Sequence, residues 1–237
     1  MPAVFVTGTD TDAGKTLVTL GLMHALQEKG LRVNGMKPVA AGVSIIEGEA
    51  VNDDAQLILQ QSSRQLEYKL VNPYLFEPAI APHIAAQQVD RVIELQLIQV
   101  ALREIEKQSD LVVVEGAGGW LVPLNDQQDV ADIAGNMNLP VILVVGLKLG
   151  CINHARLSMQ AIQARGCRVM GWVGSQIDPE MMNVDENIKT LKQYLPVQCL
   201  GVVPWLEERD TETVAGYIDS EALIDLVTVI PSVAEGS

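Results

Sequence analysis

Residues 8–16 read GTDTDAGKT and follow directly on the aliphatic run AVFVT at residues 3–7. A strand running into a glycine, then a polar turn, then Gly-Lys-Thr at a helix start is the context of a phosphate-binding loop. The spacing is irregular, because five residues separate Gly8 from Gly14 where the usual loop has four. The anion-contacting end keeps its order: Gly14, Lys15 and Thr16 sit where backbone N–H groups and the helix dipole attract phosphate. Lys15 has the reach for the β- and γ-phosphates, and the Thr16 hydroxyl suits Mg²⁺. An ordinary glycine-containing strand–helix turn is the competing reading. The first glycine is expected to serve the turn rather than the ligand.

Working outward, short aliphatic runs alternate with helix-length amphipathic segments. Residues 15–29 read as a helix with Leu17, Leu20, Leu22, Met23 and Leu26 on its apolar side, closed by Gly30. Strands are expected at 31–38, 111–115, 141–145, 169–174 and 199–203. Helices are expected at 53–61, 92–107, 130–136, 153–165 and 185–194. This rhythm predicts an α/β fold, a mostly parallel sheet with helices on both faces. Residues 42–52 and 71–90 read as long irregular connections of the kind that carry function. With no repeat or linker, residues 1–230 are expected to form a single domain and 231–237 a disordered tail.

Composition narrows the functional classes. Across 237 residues the net charge is -14, too acidic for the broad basic surface that nucleic acid demands. Aromatic residues make up only 4%, so the core should be Val, Ile, Leu and Ala, as in sheets buried on both faces. No apolar run is long enough to span a bilayer, and MPAVFVTG lacks the basic start of a signal peptide. Cys151, Cys167 and Cys199 make no metal-binding or CxxC pattern. A cytoplasmic protein with neither nucleic acid nor membrane as partner is expected.

Further candidates lie at the predicted strand ends. Glu115 closes LVVVE and precedes GAGG, which permits close approach of a ligand to backbone. Carboxyl ends of parallel strands share one crevice edge, so Glu115 can ligate a metal beside Thr16, unless it simply reaches solvent. Lys37, in MKPVAAG, should converge on the same edge as Lys15 and suits an anionic intermediate, the alternative being a solvated surface lysine. Asp53 and Asp54 either cap the helix at 53–61 or place one carboxylate toward the metal. The Gly150-Cys151-Ile152-Asn153 segment opens a helix and either caps it or holds a carboxylate; Cys151 reads as structural. The three histidines are too dispersed for a metal site, and Trp120, Trp172 and Trp205 read as core or pocket wall.

GTDTDAGKT, GMKPVAAG, VNPY, APH at 81–83, VEGAGGW, LPVILVVGLKLGCINHA, GWV and VPWL together resemble the dethiobiotin synthetase family, in the family's order across nearly the whole chain. The extra loop residue is a trait of that family. The resemblance implies a P-loop NTPase-like, cytosolic, homodimeric ligase. It would use Mg²⁺, ATP and CO₂ to close the ureido ring of dethiobiotin from 7,8-diaminononanoate, through a carbamate and a carbamic-phosphoric anhydride.

By resemblance, Lys37 contacts carbamate and γ-phosphate, Lys15 the phosphates, and Thr11 the reacting groups. Thr16, Asp54 and Glu115 match the Mg²⁺ ligands, with Asp54 also facing nucleotide. Asp12, Ala13, Gly14, Lys15, Thr16 and Leu17, and Glu115, Gly116, Ala117 and Gly118, match nucleotide contacts. So do Ser175 and Gln176, and Pro204, Trp205 and Leu206 of VPWL. Lys37 and Ala41 match substrate contacts. Gly150, Cys151 and Asn153 match the segment that one subunit lends to its partner's substrate site.

Three positions depart from the family's pattern. Ala41 replaces a frequent Ser and loses a hydroxyl. Asp12 replaces a frequent Glu. Ser175-Gln176 replaces an Asn-Asp pair that reads adenine, which implies relaxed nucleotide choice. Two other readings stay open: a related ligase for a different diamine, and a P-loop positioning or partition ATPase. The latter usually carries a second lysine early in the loop, where this chain has Thr9, Asp10 and Thr11.

Overall fold

The computed structural model describes residues 3–208 and 210–228. Its centre is strand β1 (Ala3–Gly8), all six residues of which are buried. Helix α1 (Lys15–Glu28) follows, then β2 (Val33–Met36). Strand β3 (Val39–Ala41) comes next, then a hairpin of β4 (Ser44–Ile46) and β5 (Glu49–Val51), helix α2 (Asp53–Gln61) and the short α3 (Tyr68–Val71). The middle of the chain supplies β6 (Tyr74–Phe76), α4 (Pro82–Gln88), α5 (Leu95–Glu106) and β7 (Leu111–Gly119). Then come α6 (Val130–Asn136), β8 (Val141–Leu147), α7 (Cys151–Ala164), β9 (Val169–Gln176) and α8 (Val184–Tyr194). β10 (Cys199–Val203), α9 (Thr211–Ala215) and α10 (Ser220–Thr228) complete the order.

Six strands form one sheet in the order β10-β9-β8-β1-β7-β2, and every pairing is parallel. Successive side chains in a strand point to opposite faces. Since every residue of β1 and of β8 is buried, both faces of the sheet are covered. Helices α1, α5 and α6 pack on β7, and α7 packs on β8. The core is aliphatic, with Phe5 and Trp120 meeting edge-to-face at 6.2 Å. No helix among the described residues is long and apolar enough to cross a membrane.

Parallel pairing gathers the carboxyl ends of all six strands on one edge, where ligands bind in such sheets. That edge receives the 8–16 loop from β1, Lys37 just beyond β2, the end of β7, and the segments after β8, β9 and β10.

The structure corrects several boundaries. The strand expected at 31–38 is shorter, Val33–Met36, and residues 39–41 instead pair in parallel with 74–76 as a second, two-stranded sheet. Residues 42–52 are no irregular loop: 44–46 and 49–51 pair antiparallel around Glu47 and Gly48, whose φ of 54° and 86° suit a tight hairpin turn. Residues 71–90 contain β6 and α4. β7 continues four residues past Glu115, because Gly8 and Gly119 still pair across the sheet. α7 begins at Cys151 instead of 153, and α5 at Leu95 instead of 92. The tail expected at 231–237 lies outside the described residues.

Candidate nucleotide and substrate site

The loop between β1 and α1 is wound around Gly14, which caps α1 in the left-handed region at φ 84°. A Cβ on Gly14 would also stand 2.2 Å from Oγ of Ser175, so glycine is demanded both by backbone and by space. Asp12 is left-handed too, at φ 57°. Gly8 leaves space that serves the turn, since a Cβ there would stand 3.2 Å from the Asp10 carbonyl oxygen, and that serves a side chain as well. Its φ is not positive, and its missing Cβ leaves room for the stem of Lys15, which passes 3.0 Å from where that atom would be. The first glycine therefore makes room for the Lys15 side chain.

Lys15 is buried, and its ammonium donates to the carbonyl oxygen of Asp10 at 2.9 Å. Burial and the nearby Lys37 both push its pKa below the usual lysine range. A cation in that state gains most when an anion arrives.

Lys37 is 5% exposed and Glu115 is 0% exposed, so neither alternative reading as a solvated side chain holds. The Lys37 ammonium lies 2.5 Å from Oε1 of Glu115 and 3.1 Å from Oδ2 of Asp54. Burial works against the Lys37 charge, but the two carboxylates outweigh it and hold the pKa above the ordinary value. Thr16 Oγ1 donates to the same Glu115 oxygen at 2.9 Å. The second oxygen, Oε2, is buried with no hydrogen-bond partner.

Asp54 reaches this cluster because it is not the helix cap. Asn52 caps α2, its side chain accepting from the Ala55 N–H at 3.2 Å, which leaves Asp54 in the first turn facing Lys37. Burial raises the Asp54 pKa, and Lys37 more than reverses it.

A cavity of about 950 Å³ opens over these groups. Thr11, Asp12, Gly14, Lys15, Thr16, Leu17, Lys37, Ala41, Asp54, Ala117 and Gly118 line it, together with Ser175, Gln176, Pro204, Trp205 and Leu206. Ala13, Glu115 and Gly116 stand behind its wall, outside the lining. Gly150, Cys151 and Asn153 lie at the start of α7 and do not line the cavity either. Cys151 is 1% exposed and burial pushes its thiol pKa up, as a structural cysteine requires. Trp120 and Trp172 are core, while Trp205 is pocket wall.

The sequence reading missed the apolar wall formed by residues 79–82 and Val122, and also Ile177. The end of the chamber near Ser175 is fixed by Gln176, whose Oε1 accepts the Trp205 N–H and whose Nε2 donates to the Asp178 carbonyl, each at 3.3 Å. Also missed was Lys148, whose ammonium pairs with Asp10 Oδ2 at 2.9 Å.

The oxygen donors Thr16, Asp54 and Glu115 fit Mg²⁺, which typically takes one or two carboxylates plus substrate phosphates. The unpartnered Glu115 Oε2 is the observation that favours a cation there. No cluster of three or more His, Cys, Asp or Glu suited to a metal occurs among the described residues, so the protein supplies only part of a coordination shell.

Comparisons with known proteins follow the same line. A family model described as an AAA domain matches residues 2–213. The ATP-dependent dethiobiotin synthetase BioD of Pseudomonas aeruginosa (strain UCBPP-PA14) is 46% identical over 224 residues, 94% of this chain and 98% of that protein. The protein of that name from Cellvibrio japonicus (strain Ueda107) is 46% identical over 223 residues, again 94% and 98%. Among solved structures, a ParA family ATPase from Chlorobium tepidum TLS superposes with a TM-score of 0.54, covering 96% of this chain and 99% of that one. At 14% identity that likeness shows a shared P-loop fold and nothing further.

Proposed function

The chain belongs to the ATP-dependent dethiobiotin synthetase family, and on that premise we propose how its residues carry the reaction. It is an ATP-dependent ligase of biotin biosynthesis that makes dethiobiotin. The substrates proposed are 7,8-diaminononanoate and CO₂, with ADP and phosphate released. One amine captures CO₂ as a carbamate, losing a proton. A carbamate oxygen then attacks the γ-phosphorus as the bond to ADP breaks, and the second amine attacks the carbamoyl carbon and expels phosphate.

The observation that carries this reading is Lys37, a buried cation beside Glu115 and Asp54 on the floor of a cavity walled by a phosphate loop. A carbamate is a weak nucleophile and the transferring phosphoryl group is anionic, so preorganised positive charge is the main catalytic resource. Lys37 holds carbamate and γ-phosphate together. Lys15 leaves the Asp10 carbonyl for the phosphates, and Thr11 faces the reacting groups. Thr16, Asp54 and Glu115 would hold Mg²⁺, which neutralises phosphate charge when bound.

The apolar wall at 79–82 suits the aliphatic chain of the diamine. Ala41 lines the cavity without a hydroxyl, so the substrate there is held by shape. The exposed start of α7, with Gly150 and Asn153, would reach the substrate carboxylate of a second protomer in a cytoplasmic homodimer.

The test is direct. Purified protein is incubated with the diamine, bicarbonate, Mg²⁺ and ATP, and the product mass is read for dethiobiotin. Phosphate release should depend on the diamine. ATP hydrolysis without it, and no ring product, would overturn the reading.

A further inference from the structure

The backbone ladder between β1 and β8 ends where the Thr9 N–H donates to the Val144 carbonyl at 2.9 Å. Side chains continue the connection beyond that point. The Gly146 N–H donates to Thr9 Oγ1 at 3.2 Å, and one step further Lys148 Nζ meets Asp10 Oδ2 at 2.9 Å. Lys148 is itself fixed from behind, because its carbonyl accepts the Cys151 N–H at 3.0 Å where α7 begins.

Asp10 is thus held at three atoms. Its Oδ2 takes Lys148, its Oδ1 accepts the Thr11 N–H at 2.9 Å, and its carbonyl oxygen receives Lys15. Two of these partners, Thr11 and Lys15, line the nucleotide cavity.

We propose that Lys148 is a positioning residue for phosphate binding: by clamping the Asp10 carboxylate it sets the loop conformation that stations Lys15 and Thr11 before ATP arrives. The pair is partly exposed, with side chains 36% and 46% accessible, so its direct contribution to fold stability is small. Its value lies in paying the ordering of the loop in advance, which is how preorganisation raises affinity. The inference rests on the nucleotide reading of the loop.

Simple charge and positioning predict opposite signs at Asp10. Removing a negative charge beside a phosphate site should tighten anion binding by Coulomb attraction alone. Asp10→Asn keeps an oxygen for the Thr11 N–H but presents an amide to Lys148, so positioning predicts weaker binding.

The experiment measures ATP affinity by calorimetry at fixed Mg²⁺ for the wild-type chain, Asp10→Asn, Lys148→Met, Lys148→Arg and the double variant Asp10→Asn/Lys148→Met. Asp10→Asn and Lys148→Met should each weaken binding by about threefold to tenfold with the melting temperature nearly unchanged. Lys148→Arg should restore it, and the double variant should be no weaker than the worse single one. Equal or tighter binding by Asp10→Asn, or additive losses in the double variant, overturns the proposal. If the wild-type chain itself fails to bind ATP, the nucleotide reading falls and this one falls with it.

Discussion

The Lys37 ammonium lies 2.5 Å from Glu115 Oε1, and neither side chain reaches bulk solvent. Residues 78 positions apart are joined here because Met36 of β2 and Val114 of β7 are register partners, one residue before each group. The pair is consequently a direct product of sheet register, and its loss is felt by fold and chemistry together.

Lys37→Ala should lower turnover by at least about 100-fold, since it removes the cation proposed to face the transferring phosphoryl group. It should also destabilise the protein by about 3 kcal/mol, because the buried Glu115 loses its ion-pair partner and keeps only the Thr16 hydrogen bond. The double change Lys37→Met/Glu115→Gln removes both charges and should recover much of the melting temperature while staying inactive. Chemical denaturation alongside a phosphate-release assay separates the two effects. Near-normal turnover in Lys37→Ala would refute the assigned role.

The same cluster sets a pH window. The Lys37 pKa is raised above 10.5, so its stabilising contribution is complete below that value and is lost only as pH climbs through the raised one. The Asp54 pKa is depressed below 3.8, so its contribution is complete above that value and is lost as pH falls through the lowered one. Between roughly pH 5 and 10 Lys37 and Asp54 should keep their charges. Turnover of Asp54→Asn and the wild-type chain should therefore follow pH in parallel from roughly pH 5 to neutrality, at different heights. At alkaline pH the variant should fall first, since Asp54 supports the charges of both Lys37 and Lys15; a variant that holds its activity as far into alkali as the wild type would contradict this.

Much of this was legible in sequence, and the gaps have physical causes. α2 and α6 fall at the expected 53–61 and 130–136 because their boundaries are set locally, by Asn52 and by the Asp129–Asp132 capping box. Strands β3 and β6 are three residues each and exist only by pairing with one another across 35 positions, a fact that periodicity cannot carry. The strand expected at 111–115 runs on through GAGG to Gly119, where parallel partners override the low strand preference of glycine. Lys37, Glu115 and Thr16 were visible at strand and helix ends. Their sharing of one carboxylate oxygen was not, and neither was the tie between Asp10 and Lys148, because both depend on the order of strands in the sheet.

Gly14→Ala should be nearly inactive. The side chain adds strain at φ 84° and collides with Ser175 Oγ. Left-handed backbone costs about 1–2 kcal/mol for a residue with a Cβ, before any clash. Adding Ser175→Gly should relieve the collision but not the backbone strain, giving partial recovery of ATP affinity. Full recovery would show that crowding alone mattered, and no recovery that Ser175 is not the obstacle.

Nucleotide choice is the sharpest consequence of the Ser175-Gln176 sequence. Ser175 is 2% exposed and packs against Gly14, while the Gln176 amide is engaged by Trp205 and Asp178. Sites built to hydrogen-bond a particular group reject ligands that lack it by about 10⁴–10⁵-fold, whereas shape alone discriminates far less. A hydroxyl turned toward the loop cannot offer a base the paired donor and acceptor of an amide. ATP, GTP and CTP should accordingly support ring closure with kcat/KM values within about two orders of magnitude of each other. Steady-state kinetics with the three triphosphates decides it: rejection of CTP and GTP by about 10⁴-fold would mean that backbone groups in the 175–177 and 204–206 segments read the base instead.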